Sequence, residues 1–126
     1  MKKSKLIIPA SVGLVYAVNP VDQSVSIFWQ ERSSGFYELP GGKIQNNESP
    51  LEALEREIKE EASFLKLNSP WQFFGIYSTS VGEKSFLLHL YTAQGDLLQM
   101  TFGVDQELKT FEATRRMIDD FRKSRV

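Results

Sequence analysis

The segment from residue 41 to residue 64 constrains the chain more than any other stretch, because it marks both a helix and a row of carboxylates. Its sequence is GGKIQNNESPLEALEREIKEEASF. Ser49 is a suitable N-cap, Pro50 fits the first helical position, and Glu52 completes a capping box with Ser49. The pattern therefore predicts a helix from Pro50 to about Phe64.

The predicted helix has an acidic face beside an apolar one. Three carboxylates fall within about 100° of one another around the helix axis: Glu57, Glu60 and Glu61. The neighbouring face, which we expect to be buried, carries Leu51, Leu54, Ile58 and Ala62. Like charges at this spacing repel by a few tenths of a kcal/mol per pair. The acidic face is therefore either solvated or neutralised by a cation, for which oxygen ligands favour magnesium or manganese over zinc.

Composition narrows the chemistry available to the chain. The 126 residues contain no cysteine and one histidine, His89. The absence of cysteine excludes disulfides and thiolate metal sites. A single histidine nearly excludes serine–histidine catalysis and zinc sites built from several histidines. The formal net charge of −1 gives no general attraction to DNA or to anionic membranes. Carboxylates acting with a hard metal ion are the chemistry that remains.

The N-terminal stretch allows two interpretations. A basic start, residues 1–5, precedes an apolar run from Leu6 to Val18, as in a secretory signal. Pro9 and Gly13 interrupt that run, and its alternation with small residues favours a strand. No stretch approaches the ~20 apolar residues that a membrane-spanning helix needs. We therefore expect no membrane partner and a cytoplasmic location.

The other segments predict a mixed sheet between helices, in one domain over residues 1–126. Predicted strands cover residues 6–18 (as one strand or two), 25–30, 71–80, 86–93 and, more weakly, 97–102. A loop is predicted from 33 to 42. The spacing of four apolar residues near the C-terminus predicts a second helix: Leu108, Phe111, Ile118 and Phe121. The fold class is α/β or α+β.

The glutamate segment resembles the motif of the Nudix family, G-x5-E-x7-R-E-U-x-E-E-x-G-U, in which U is aliphatic or aromatic. Gly42 begins the motif, Glu48 follows after five residues, and Arg56-Glu57 follow after seven more. Every charged position matches, and Ser63 replaces the final glycine. A glycine there would let the chain leave the helix with positive φ, which serine adopts at an energetic cost. The replacement therefore bears on the turn rather than on the acidic face.

The resemblance implies an α/β/α sandwich and metal-dependent cleavage of a diphosphate bond in a nucleotide-like substrate. Magnesium, or manganese in its place, would be held by Gly42 through its carbonyl and by Glu57, Glu60 and Glu61. Glu57 would take the proton of the attacking water, with Glu60 as the alternative. Arg56 would orient Glu57, and Glu48 would brace Arg56, a role that is compatible with a purely structural ion pair.

Substrate contacts are predicted less directly. Arg32 and Lys43 flank the loop before the helix and are candidates for binding phosphate. Tyr37, just ahead of the glycine pair, is the aromatic residue best placed to stack on a base, although most aromatic residues in strands belong to the core. An additional acid outside the motif is considered at Glu83, Asp105 and Glu107. His89 lies on an apolar strand, and we expect it to be structural.

The leading hypothesis is a small MutT-like nucleoside triphosphate pyrophosphohydrolase, because the chain is compact and lacks large insertions. The alternatives are hydrolysis of dinucleoside polyphosphates, of RNA 5′-triphosphate ends or of ADP-ribose. The near-neutral charge gives long RNA little electrostatic help, and we expect no DNA partner. A different class is a catalytically inactive nucleotide-sensing Nudix domain, which would be expected to lack a motif glutamate. The chain would act as a monomer or a homodimer.

Overall fold

The computed structural model describes residues 6–125. These residues contain eight strands and two α-helices. The strands are β1 (Leu6–Val18), β2 (Val25–Ile27), β3 (Gln30–Ser33), β4 (Phe36–Glu38), β5 (Gly41–Lys43), β6 (Gln72–Val81), β7 (Lys84–Gln94) and β8 (Phe102–Gly103). The helices are α1 (Pro50–Glu61) and α2 (Glu112–Ser124), and a 3₁₀ turn covers Leu97–Gln99.

Strand β1 is the centre of a mixed sheet. It pairs antiparallel with β2 and with β5, and parallel with β7. The strand order is β6-β7-β1-β2-β8, while β3 and β4 form a separate two-stranded sheet. The mixed sheet that the sequence predicts is confirmed. Strand β4 and the first two residues of β5, however, lie in the segment 33–42, which was predicted to be a loop.

Each face of β1 is covered by one helix. Successive side chains of the strand point to opposite faces, so neighbouring residues contact different helices. Leu14 lies in the core cluster with Ile118 and Phe121 of α2. On the opposite face, Gly13 lies so close to α1 that an added Cβ would be 3.1 Å from Cδ1 of Leu54. The layers are therefore helix, sheet and helix, as expected, and α1 is held directly over the central strand.

Helix α1 begins where the capping box predicts. Ser49 Oγ accepts a hydrogen bond from Glu52 N at 3.1 Å, and Glu52 Oε1 accepts one from Ser49 N at 2.9 Å. The helix ends at Glu61 rather than near Phe64, since Ala62 is the C-cap with φ −144°. Among the described residues, the non-glycine positions with positive φ are Gln23 and Asn47. The prediction that Ser63 has positive φ is therefore wrong, and serine fits there without that strain.

Removal of the capping hydroxyl should destabilise the protein. In Ser49→Ala, the backbone N–H of Glu52 loses its acceptor, and we expect the free energy of unfolding to fall by about 1 kcal/mol. Thermal unfolding followed by circular dichroism measures this as a midpoint lowered by a few degrees. Ser33→Ala, at an exposed position of β3, is the control and should leave the midpoint in place. Equal midpoints for the two variants would show that the cap contributes nothing.

The short strands follow the sequence prediction less well than the long ones. Strands β1, β6 and β7 lie where they were predicted, and β6 and β7 meet at the predicted hairpin turn. The predicted strand 25–30 is interrupted, because Trp29 N donates to Thr101 Oγ1 at 2.7 Å instead of to a strand partner. Residues 97–102 begin as a 3₁₀ turn, which Asp96 caps by accepting from Leu98 N at 3.2 Å.

Helix α2 contains only part of the predicted apolar stripe. Ile118 and Phe121 are buried, whereas Leu108 and Phe111 precede the helix. Met117 is fully buried and was not predicted to be part of the core. Neither α-helix in residues 6–125 combines the length and the apolar character needed to span a membrane.

Candidate active site

The glycine pair before α1 passes close to both β1 and the helix. An added Cβ on Gly41 would overlap the Ser11 carbonyl oxygen, and one on Gly42 would lie 2.5 Å from Glu57 Cδ. Such separations are possible only for residues without a side chain. Ser11 is fully buried, and its Oγ donates to Pro50 O at 2.6 Å. Gly42 pairs with Ser11 in the sheet, and its backbone lies directly against the Glu57 carboxylate.

Arg56 is held by several acceptors at once. Its Nε and Nη2 donate to the two oxygens of Glu48 at 2.6 and 3.1 Å. Its Nη1 donates to Glu57 Oε1 at 2.9 Å, and Nη2 also donates to Lys43 O at 3.0 Å. Hydrogen bonds from Arg56 and from Gln45 N hold the pKa of Glu48 below its usual value. This network fixes the orientation of the Glu57 carboxylate.

Glu57 and Glu61, one helical turn apart, form a close carboxyl pair. Burial, a hydrogen bond with Glu57 and repulsion by its charge raise the pKa of Glu61 to about 7. Two adjacent carboxyl groups both ionise only at an electrostatic cost, so the pair favours a shared proton or a cation. The groups offered are all oxygen donors, which suit a hard divalent cation. The donor set therefore fits magnesium or manganese.

Glu60 lies apart from this carboxyl pair. Its Oε2 is 3.5 Å from Arg56 Nη1, and its side chain is 59% exposed, compared with 16% for Glu57. In residues 6–125, no three acidic or histidine side chains converge tightly enough to form a metal site by themselves. The structure thus brings Glu57 and Glu61 together and leaves Glu60 at the edge. A cation between them would need further oxygens, such as the carbonyl of Gly42.

A second arginine–glutamate pair lies on the β3–β4 hairpin. Arg32 Nε is 2.5 Å from Glu38 Oε1. Burial raises the pKa of Glu38, and the charge of Arg32 opposes that rise. Both charges also act on Glu61, whose ionised form Arg32 favours and Glu38 disfavours. Glu38 was not among the predicted site residues, although the sequence places it directly before Leu39, Pro40 and the glycine pair.

The other predicted substrate contacts differ in exposure. The side chain of Lys43 is exposed at the end of β5. Tyr37 packs edge-on against Phe102, with ring centroids 5.2 Å apart, and borders the core cluster on the α2 side. Part of the Tyr37 ring therefore packs against the core. His89 Nδ1 lies 3.2 Å from Ala10 O, a contact that suits the structural role expected for it.

The acids considered outside the motif show no contact with the carboxyl pair. Asp105 forms an ion pair with Arg122 of α2 at 2.7 Å. Glu83 is exposed in the hairpin turn, and Glu107 is exposed in the segment before α2. Whether one of them serves as an additional acid therefore stays a prediction.

The fold and the site together define a class of protein, namely α/β/α proteins that carry carboxylates on a capped helix. A protein-family model described as the NUDIX domain matches residues 8–117. That match covers most of the chain, so the protein belongs to the Nudix family, and the fold expected from the motif is confirmed.

Relatives with known descriptions support this assignment. The 8-oxo-dGTP diphosphatase of Proteus vulgaris is 39% identical over 66 residues, or 48% of this chain. The match spans about half of that relative, 53% of its length. A mutT/nudix family protein from Listeria innocua has a TM-score of 0.71 at 18% identity, with 98% of this chain and 95% of that chain covered. At this identity, the likeness shows the fold.

A second structural neighbour differs in its partner. Shewanella oneidensis NrtR, complexed with a 27mer DNA, has a TM-score of 0.71 at 14% identity. The match covers 91% of this chain and 60% of that chain. This neighbour shows that the fold also occurs in a DNA-bound protein. The expectation that this chain has no DNA partner therefore stays a prediction.

Proposed function

We propose that the chain is a metal-dependent hydrolase that cleaves a diphosphate bond in a nucleoside triphosphate or a related nucleotide. The observation that carries the proposal is the Glu57–Glu61 carboxyl pair, which Arg56 orients and which lies against the Gly42 backbone. The name of the Proteus vulgaris relative supports a nucleoside triphosphate as substrate.

Magnesium, or manganese in its place, would be held by oxygen atoms of Gly42, Glu57, Glu60 and Glu61. When bound, it would neutralise the phosphate oxygens and make water a better nucleophile. Glu60 is exposed and paired with Arg56 only at 3.5 Å. Its carboxylate can therefore turn toward a ligand with little loss, since Arg56 keeps its bonds to Glu48 and Glu57.

Glu57 is the proposed proton acceptor, with Glu60 as the alternative. The bond from Arg56 Nη1 at 2.9 Å fixes one oxygen of Glu57, and Glu48 in turn fixes Arg56. The oxygen of the attacking water forms a bond to phosphorus, and its proton passes to the Glu57 carboxylate. The bond from phosphorus to the bridging oxygen breaks, and the leaving phosphate takes that electron pair. Arg56 and Glu48 therefore act by orientation, and Glu57 by accepting the proton.

The same site is compatible with other diphosphate substrates. Dinucleoside polyphosphates, RNA 5′-triphosphate ends and ADP-ribose all contain the bond that such a site would cleave. A catalytically inactive nucleotide-sensing domain is disfavoured, because the three motif glutamates on α1 are all present. Tyr37 and Lys43 remain candidates for contact with base and phosphate.

The proposal predicts nucleotide hydrolysis that depends on a divalent cation. The assay uses the full chain with Mg²⁺ and a panel of ordinary and oxidised deoxynucleoside triphosphates, ADP-ribose, a diadenosine polyphosphate and a short triphosphorylated RNA. We expect a monophosphate and pyrophosphate from one triphosphate, and no product once a chelator is added. If products form from another member of the panel instead, that compound class is the substrate and the triphosphate assignment is wrong. No product from any of them, with Mg²⁺ bound, would contradict the proposed activity.

A further inference from the structure

Helix α1 contacts the central strand β1 through two alternate residues of that strand. Ser11 Oγ donates to Pro50 O, in the first turn of the helix, at 2.6 Å. An added Cβ on Gly13 would be 3.1 Å from Leu54 Cδ1, one turn further along. Alternate residues of a strand point to the same face of the sheet, so these two contacts place the first half of α1 along β1.

The two contacts differ in how well they define a position. Apolar packing such as that of Leu54 is not directional, whereas a hydrogen bond depends on both distance and angle. The carbonyl of a first-turn residue already accepts from the N–H four residues further along the helix. The bond from Ser11 is therefore additional to the bonding within the helix. Because Ser11 is fully buried, its hydroxyl would be costly to bury without this acceptor.

The same serine also belongs to the strand pair that carries the glycines. Ser11 pairs with Gly42 of β5, and the pairing continues where Ile44 N donates to Pro9 O at 3.0 Å. Glu57 lies about two turns beyond Pro50 along α1, and an added Cβ on Gly42 would be 2.5 Å from Glu57 Cδ. Ser11 is therefore joined to β5 by its backbone and to the helix that carries the carboxylates by its side chain.

We propose that Ser11 is a positioning residue, which sets the separation between the Gly42 backbone and the Glu57 carboxylate by bonding to β5 and to α1 at once. The inference rests on the proposed function, because those two groups are proposed ligands of the cation. Ser11 is buried beneath the helix and acts through α1 rather than on the cation or the substrate. Loss of its hydroxyl lets α1 shift along β1, so that the donor atoms no longer hold one geometry.

Metal binding without turnover tests this proposal. The probe is Mn²⁺ alone, titrated calorimetrically into the full chain. Ser11→Ala should bind Mn²⁺ about tenfold more weakly than the parent, a loss typical of removing a group that orients metal ligands. Ser11→Cys nearly keeps the side-chain volume but replaces a strong donor with a weak one, and should also lose affinity. Parental affinity in Ser11→Cys would assign the effect to volume and overturn the proposal.

Ser49→Ala is the matched control at the same end of α1. It also deletes one serine hydroxyl, but the bond from Glu52 N to Ser49 Oγ lies within the start of the helix itself. Both alanine variants should lower the unfolding midpoint by a few degrees. Ser49→Ala should nevertheless bind Mn²⁺ within about twofold of the parent, because it leaves the bond between helix and strand in place. Equal losses of Mn²⁺ affinity would overturn the proposal, since a general weakening of the helix start would explain them.

Amide signals provide a readout that needs neither metal nor turnover. In proton–nitrogen correlation spectra of the full chain, Ser11→Ala should shift the backbone signals of Glu57 and Glu61, which lie far along α1 from the deleted bond. Ser49→Ala should shift signals of the first turn and leave those two in place. If the Glu57 and Glu61 signals stay unchanged in Ser11→Ala, the helix has not moved at the site and the positioning role is wrong.

Kinetics separate this inference from the proposed activity. With an active parent, Ser11→Ala should lower kcat about tenfold and change KM by less than about threefold, because the bond acts on the geometry of the reacting groups. Parental kcat together with parental Mn²⁺ affinity would overturn the positioning role and leave the activity standing. A parent that hydrolyses no nucleotide but shows the predicted pattern of Mn²⁺ affinities and amide shifts would retain the positioning role and contradict the activity alone.

Discussion

Glu57→Gln should reduce kcat by about a hundredfold to ten-thousandfold at saturating Mg²⁺, the range associated with loss of a general base. Glutamine keeps the shape of the side chain and can still accept the bond from Arg56 Nη1. It cannot take up the proton of the attacking water. Replacing one member of a repelling carboxyl pair also relieves its repulsion, so the unfolding midpoint should not fall.

Two further variants show whether this loss is specific. Glu55→Gln removes one charge from an exposed position of the same helix and should remain as active as the parent. Glu60→Gln should lose less activity than Glu57→Gln, because Glu60 is the more exposed and less tightly oriented acid. If Glu57→Gln turns over at the parent rate while Glu60→Gln is inactive, the proton acceptor is Glu60. If both remain active, neither is required.

Gly42→Ala should be the second most damaging change, although it adds only a methyl group. The new Cβ would lie 2.5 Å from Glu57 Cδ, so either the carboxylate or the β5 backbone must shift. A misplacement of about 1 Å in an active site can lower the rate by about a hundredfold. We expect a loss of that order in kcat, together with weaker binding of Mn²⁺ in a calorimetric titration.

Gly75→Ala is the control for the added methyl group. Its Cβ would lie no closer than 3.6 Å to another group, Cε2 of Tyr77, an ordinary packing distance. This variant should keep the activity and the unfolding midpoint of the parent. Gly42→Ala with parental kcat would contradict the close packing of the glycine against Glu57. A collapse of the unfolding midpoint in Gly42→Ala alone would show that the contact maintains the fold as well as the site.

Local chemistry explains which parts of the fold were predictable from sequence. The start of α1 depends on Ser49, Pro50 and Glu52, which lie within four residues of one another, so the capping box identifies it. The interruption between β2 and β3 depends on Trp29 N and the Thr101 hydroxyl, which are 72 residues apart. A local pattern cannot reveal such a contact.

The candidate site also has parts that a local pattern predicts and parts that it does not. The spacing of Arg56, Glu57 and Glu61 places them on one side of α1, and this follows from the helical repeat. The separation of Glu60 from the carboxyl pair depends on its side-chain orientation toward Arg56, which the repeat does not determine. The repulsion of the Glu61 charge by Glu38 depends on where a separate hairpin lies, which the repeat does not determine either.

The charges assembled around α1 have a consequence for how a substrate can arrive. The site gathers five carboxyl groups against two guanidinium groups and the exposed Lys43 ammonium group, an imbalance that the formal net charge of −1 conceals. The carboxyl groups are those of Glu38, Glu48, Glu57, Glu60 and Glu61. A bare polyphosphate anion diffusing toward this surface meets repulsion, so its encounter rate is low and rises with ionic strength. A nucleotide already complexed with a divalent cation carries less negative charge, and the surface therefore selects that species at the moment of encounter.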